Sequence, residues 1–188
     1  MLPQLIGLHW RSKELQSPIV ADVTYGGGRF WKACGLDIIG SDLDPVRAKT
    51  VCADFRFLPY KDSSIDVLIF DPPHIADVGS ERRKIMREIY GIYWKSTSII
   101  EASRAFLLEA ARVLKQDGII IAKLSDQIQT GRHFWNHFDY MNIHQDLPLT
   151  VCDIVIKIRK SPGPQPWDHQ RHAWQRHCYF LVSRKGKC

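Results

Sequence analysis

The sequence is poor in paired cysteines. Its five cysteines (Cys34, Cys52, Cys152, Cys178 and Cys188) are odd in number and scattered, and no Cys-x-x-Cys occurs. That spacing supports neither a zinc ribbon nor a disulfide framework, so the thiols are expected to be reduced, mostly buried and in a cytoplasmic protein. No apolar run approaches the length of a membrane span, which argues against a membrane protein. Met1 to Ile6 carries no basic segment ahead of a long apolar stretch, so no signal peptide is expected. No Gly-x-x-x-x-Gly-Lys-Ser/Thr occurs, which leaves a phosphate-cradling loop unsupported. Internal repeats and low-complexity tracts are lacking too.

The 188 residues, 45% hydrophobic and 24% charged, suit a single domain, 1–188, with an ample core. The net charge of +6 is compatible with a polyanionic partner. Arg82, Arg83, Lys84 and Arg87 form one basic cluster, and a second spans 157–187. The acids sit mostly in the first two-thirds of the chain.

Apolar runs alternate with helical patterns. Ile19 to Val23 reads as a strand, followed by Thr24-Tyr25-Gly26-Gly27-Gly28 and a helix from Arg29. Asp37 to Gly40 leads to Ser41-Asp42-Leu43-Asp44-Pro45, a second strand ending in acids, then a helix with proline in its first turn. Thr50 to Ala53 is a third strand, ending at Asp54, and 65–70 a fourth. Ser98-Ile99-Ile100-Glu101 offers a capping box for a helix with a 3.6-residue apolar stripe, stopping at Gln116-Asp117-Gly118. A fifth strand, Gly118 to Leu124, and a helix over 126–140 follow. Val151 to Ile158 and Cys178 to Ser183 close the chain as two strands with no helix between them. These elements predict an α/β fold: a doubly wound, Rossmann-like, mostly parallel sheet of about seven strands with an antiparallel C-terminal hairpin.

In such folds ligands bind outside the C-terminal ends of the strands. Asp22, Asp42, Asp54 and Asp71 all stand there. The glycines permit close backbone approach. A carboxylate after the second strand can accept both hydroxyls of a ribose, and Asp54 could accept an adenine amino group. A carboxylate-rich rim repels phosphates, so a nucleoside with a positive centre, S-adenosylmethionine, fits best. At the fourth strand, Asp71-Pro72-Pro73-His74 forms a stiff corner, because each proline fixes φ and removes a donor.

The chain resembles the class I S-adenosylmethionine-dependent methyltransferases, and within them the small adenine-N6 and cytosine-N4 DNA methylases. The likeness rests on Asp22-Val23-Thr24-Tyr25-Gly26-Gly27-Gly28, Gly40-Ser41-Asp42-Leu43-Asp44-Pro45, Ala53-Asp54-Phe55, Asp71-Pro72-Pro73-His74, Ala111-Arg112-Val113-Leu114-Lys115-Gln116-Asp117-Gly118 and the closing run His177 to Lys185. The resemblance implies S-adenosyl-L-methionine as cofactor, held by Asp22, Tyr25, Gly26, Gly28, Asp42, Asp54 and Phe55. It implies that Asp71 and the carbonyl of Pro72 accept hydrogen bonds from an exocyclic amine, with Pro73 stiffening the corner and His74 stacking on the base. His74 departs from the family's usual tyrosine, phenylalanine or tryptophan there. The alternative C5 chemistry needs a Pro-Cys dipeptide, and none occurs.

Arg82, Arg83 and Lys84, with Tyr93 and Trp94, are expected to clamp and stack on the substrate within the insertion 75–97; a second insertion spans 160–177. Both are short, which predicts weak sequence specificity or a homodimer. His133 and His137 are four apart, on one expected helix face, and His169, His172 and His177 lie near Cys178, but no acid or cysteine spacing supports a metal. The leading partner is DNA; an RNA base (for example guanine N2) and a non-catalytic cofactor-binding module are the alternatives.

Overall fold

The computed structural model describes residues 1–10, 17–32, 34–73, 99–129, 132–158 and 176–188. The strands are β1 (Val20–Asp22), β2 (Ile38–Asp42), β3 (Val51–Cys52), β4 (Ile65–Phe70), β5 (Leu114–Leu124), β6 (Gln127–Gln129), β7 (Arg132–Phe134), β8 (Leu149–Ile158) and β9 (His177–Lys185). The α-helices are α1 (Leu2–His9), α2 (Ile99–Val113) and α3 (Asn136–Ile143).

Seven strands form one sheet in the order β3-β2-β1-β4-β5-β9-β8. The first five run parallel, β9 pairs antiparallel with β5, and β8 closes the edge antiparallel to β9. The order reverses between β1 and β4, which puts the C-terminal ends of β1, β2 and β4 side by side. This is the mostly parallel sheet with an antiparallel terminal hairpin that the sequence pattern predicts.

Both faces are covered. On one, Phe106, Leu107, Ala110 and Val113 of α2 and Tyr140 of α3 pack on Leu68, Phe70, Ile120, Ala122 and Leu124. On the other, Leu2, Leu5 and Ile6 of α1 join Trp31, Val67, Ile69, Ile119, Ile121, Phe180 and Val182. Hence Val67, Leu68, Ile69 and Phe70 are all buried, and each contributes about 2 kcal/mol of hydrophobic burial. Phe70 stacks on Phe106 with centroids 3.9 Å apart, and Phe55 meets Phe70 edge-on at 5.0 Å. These rings support the end of β4 from beneath.

Several local expectations are corrected. The helix expected from Arg29 is a single 3-10 turn, Arg29–Trp31. Pro45 to Lys49 forms turns held by Asp44, whose carboxylate accepts the Val46 N–H at 3.0 Å. Helix α2 ends at Val113, because Leu114 already pairs with Ile65 of β4. The helix expected over 126–140 is replaced by the β6–β7 pair followed by α3: Gln127-Ile128-Gln129 alternates polar and apolar residues, a two-residue period, and pairs antiparallel with Arg132-His133-Phe134. Helix α1 was not anticipated.

The expectation of five reduced thiols is corrected for two of them. Cys152 and Cys188 form a disulfide across a separation of 36 residues. The β8–β9 hairpin carries the tail back past the start of β8, where Thr150 Oγ1 donates to the Gly186 carbonyl at 2.6 Å. Cys34, Cys52 and Cys178 are free thiols. No helix among the described residues is long and apolar enough to cross a membrane.

Candidate active site

The site begins at the turn after β1. Gly26, Gly27 and Gly28 all take left-handed φ, at 54°, 82° and 72°, which L side chains rarely adopt. A Cβ on Gly27 would meet nothing within 4 Å, so that side of the loop is open. A Cβ on Gly28 or on Gly40 would collide with the ring of Tyr25. Tyr25 therefore lies between the loop and β2, and both glycines are needed to seat it. Its backbone N–H donates to the Ser41 carbonyl at 3.0 Å.

Asp42, the last residue of β2, ties the loop to its own strand. Its Oδ2 accepts the Gly26 N–H at 2.8 Å and its Oδ1 the Asp44 N–H at 2.9 Å. Each carboxylate oxygen keeps a second lone pair, so the group can still accept hydroxyls.

Asp22 turns inward. It is 1% exposed, with Oδ2 accepting the Trp31 indole N–H at 2.7 Å and Oδ1 the Thr24 N–H at 3.0 Å. Burial pushes its carboxyl up to about 7, against the pull of those hydrogen bonds; the nearby Asp71 charge adds to the rise. Asp22 is a brace beneath the loop and does not face the open side.

Asp54 is clamped by Arg56, whose Nε lies 3.0 Å from both carboxylate oxygens and whose Nη2 lies 2.6 Å from Oδ2. Burial opposes ionisation of Asp54, but the Arg56 side chain and backbone N–H outweigh it and hold the carboxyl below its usual range. Phe55 is 5% exposed and belongs to the core beneath β4.

At the end of β4 the Asp71 N–H donates to Thr24 Oγ1 at 2.7 Å, joining the proline corner to the glycine loop. The Asp71 carboxylate accepts Lys123 Nζ at 2.9 and 3.0 Å. Lys123 Nζ also sits 5.1 Å from the centroid of Phe30. Sequence reasoning missed Lys123, Thr24 and Trp31. Lys123 carried a signal: it is a lone cation near the end of the apolar run Ile119-Ile120-Ile121-Ala122, at the rim where ligands bind.

The four acids stand at the C-terminal ends of the strands, each with its own partner. Arg56 pairs with Asp54 and Lys123 with Asp71, the Gly26 and Asp44 N–H groups donate to Asp42, and burial favours the protonated form of Asp22. Pro72 is buried and Pro73 half-buried. His74, Arg82, Arg83, Lys84, Tyr93 and Trp94 lie outside the described residues, as do His169 and His172. His133 and His137 do not share a helix face: His133 is on β7, and His137, in α3, bonds Asp126 Oδ1 through Nδ1 at 2.7 Å.

No protein-family model and no curated protein matches the chain. Solved structures do. A methyltransferase from Bacillus halodurans C-125 shares 12% identity over 99% of each chain, with a TM-score of 0.63. A proposed rRNA-methylase from Clostridium thermocellum shares 13% over 97% of this chain and 95% of that one, at 0.55. This is the class I S-adenosylmethionine-dependent methyltransferase fold. A DNA modification methylase from Thermus thermophilus, solved with S-adenosyl-L-methionine, shares the methyltransferase fold at 18% identity and a TM-score of 0.50, over 72% of this chain. The chain spans about half the length of that methylase, 54%. The glycine loop after β1 stands where the strand order reverses, between β1 and β4, and Asp42 ends the neighbouring strand β2.

Proposed function

We propose that this protein transfers a methyl group from S-adenosylmethionine to an exocyclic amino group of a base in DNA, adenine N6 or cytosine N4. The observation that carries the reading is Asp71, an acid on a proline-stiffened corner hydrogen-bonded to the glycine loop. The residues present fit the cofactor. The open side over Gly27 lets a ligand approach bare backbone, and Asp42 offers further lone pairs to ribose hydroxyls. Beside them Tyr25 and Asp54 are half-buried, and Asp22, Gly28 and Phe55 are buried. When bound, S-adenosylmethionine supplies an electrophilic methyl carbon on a sulfonium.

The protein's part is to prepare the amine. Its lone pair is delocalised into the ring, which makes it a poor nucleophile. Asp71 Oδ and the Pro72 carbonyl accept its N–H groups, localise the lone pair and aim it, so positioning and electrostatics carry the rate. Lys123 keeps the Asp71 carboxylate oriented. If the base comes from a duplex it must be flipped out, at a cost of a few kcal/mol.

The same chemistry on an RNA base is the second reading. It is favoured by the near-complete overlap with the rRNA-methylase. Tritiated-methyl transfer to DNA, RNA and free nucleosides, followed by nucleoside mass spectrometry, separates the two. Asp71→Ala is expected to bind cofactor normally in calorimetry yet lose transfer. Turnover retained in that variant would remove Asp71 from the mechanism.

A further inference from the structure

The segment 132–138 combines exposed rings with positive charge directly beyond the end of β5. Phe134 is 38% exposed, Trp135 52% and Phe138 55%, three exposed rings within five residues; Phe57, at 76%, is exposed elsewhere. The Arg132 guanidinium lies 5.8 Å from the centroid of Phe134, and the His133 ring stacks on Trp135 at 5.1 Å with planes 16° apart. A flat, cation-backed ring that is half open to water is a stacking platform for another flat ring.

The segment is held firmly from below. Asp126, buried two residues after β5, bonds the His137 ring at 2.7 Å, and that ring stacks on Tyr179 of β9 at 4.0 Å. Asn136 Nδ2 donates to the Ser125 carbonyl at 2.8 Å. β6 and β7 form their own two-stranded sheet, separate from the seven-stranded one. The segment's acids are buried (Asp126) or half-buried (Asp139), while Arg132 is exposed. Its origin at the end of β5 puts it on the same rim as Asp71 and Lys123.

We infer that the β6–β7 hairpin and the first turn of α3 bind a single-stranded segment of nucleic acid next to the target base, with bases stacked on Phe134, Trp135 and Phe138 and a phosphate on Arg132. The occupant is chosen by shape and charge together: planar bases match the exposed rings Phe134, Trp135 and Phe138, and an anionic phosphate matches the exposed Arg132. The inference rests on the nucleic-acid reading of the site and assigns its substrate-holding element.

Fluorescence anisotropy of the full chain with labelled oligo(dT), oligo(U) and a matched duplex tests it. Phe134→Ala and Trp135→Ala are each expected to weaken single-strand binding about tenfold, and Trp135→Phe to keep it. Arg132→Gln is expected to lower the slope of log affinity against log salt by about one. Single-strand binding should also quench Trp135 fluorescence. The dT and U arms distinguish DNA from RNA. Unchanged binding in both alanine variants would overturn the assignment. So would a self-associated wild type, seen by sedimentation, that Trp135→Ala dissolves, because the patch would then be an interface between copies. Methyl transfer is measured on the same proteins. Transfer by the alanine variants with an unchanged KM for the acceptor sinks the platform and leaves the enzyme reading intact. Strand binding by a wild type that transfers no methyl group, lost in those variants, does the reverse.

Discussion

Lys123 of β5 holds both carboxylate oxygens of Asp71, at 2.9 and 3.0 Å. The pair exists because Phe70 and Ala122 are in register across β4 and β5, which brings the next residue of each strand to the same level at the rim. Both side chains are only partly exposed, 21% for Asp71 and 27% for Lys123, so water screens the pair less than it would on the surface.

Lys123→Met is expected to lower kcat about tenfold, the size of one charge-assisted hydrogen bond, while cofactor affinity stays at the wild-type value. Lys123→Arg should restore part of the loss. Steady-state kinetics with calorimetry separates the effects. Wild-type kcat in Lys123→Met would show that Asp71 needs no support from β5.

Asp42→Ala is expected to weaken S-adenosylmethionine binding about 100-fold, the loss of two hydrogen bonds to a charged acceptor. Because Asp42 also holds the Gly26 and Asp44 N–H groups, Asp42→Asn is the control: it keeps one acceptor and should lose less. Unaltered affinity in the alanine variant would place the ribose elsewhere.

Asp22 gives the protein a pH dependence. Its folded carboxyl sits at about 7, above the ordinary 3.8. The folded state therefore binds the proton more tightly than the unfolded chain. The associated stability is complete below pH 3.8 and declines as pH rises towards about 7. Burial of His144 works the other way. It disfavours the imidazolium, so that contribution is complete above the ordinary histidine range and is lost in acid. Urea midpoints for wild type and Asp22→Asn, taken from about pH 4 to about pH 8, isolate the first effect. The wild-type midpoint should fall relative to the variant across that interval, and parallel curves would contradict the assignment.

The Cys152–Cys188 bond closes a loop of 36 residues, worth about 4 kcal/mol in the chain-entropy limit. Cys188→Ser, or a thiol reductant, should lower the urea midpoint and loosen the β8–β9 edge in hydrogen exchange. Mass spectrometry of the alkylated protein checks the bond directly; five modified cysteines in the non-reduced chain would show it does not form.

The sequence by itself determined the mostly parallel sheet, the antiparallel close and the acids at the strand ends. These follow from local chemistry: apolar runs such as Val67 to Phe70 make buried strands, and Asp71-Pro72-Pro73 ends one, because proline lacks the donor a central strand needs. Tertiary structure decided what Asp71 does: it faces Lys123, 52 residues away. The partners of Asp54 (Arg56) and Asp22 (Trp31) lie two and nine residues along the chain. Strand pattern is periodic and local, whereas the Asp71–Lys123 pair depends on which strands are neighbours and in what register. The same holds for Cys152 and Cys188, joined only because β9 turns back along β8. It holds for the stretch 126–140 as well, where helix and hairpin compete locally and packing against β5 and β9 settles the outcome.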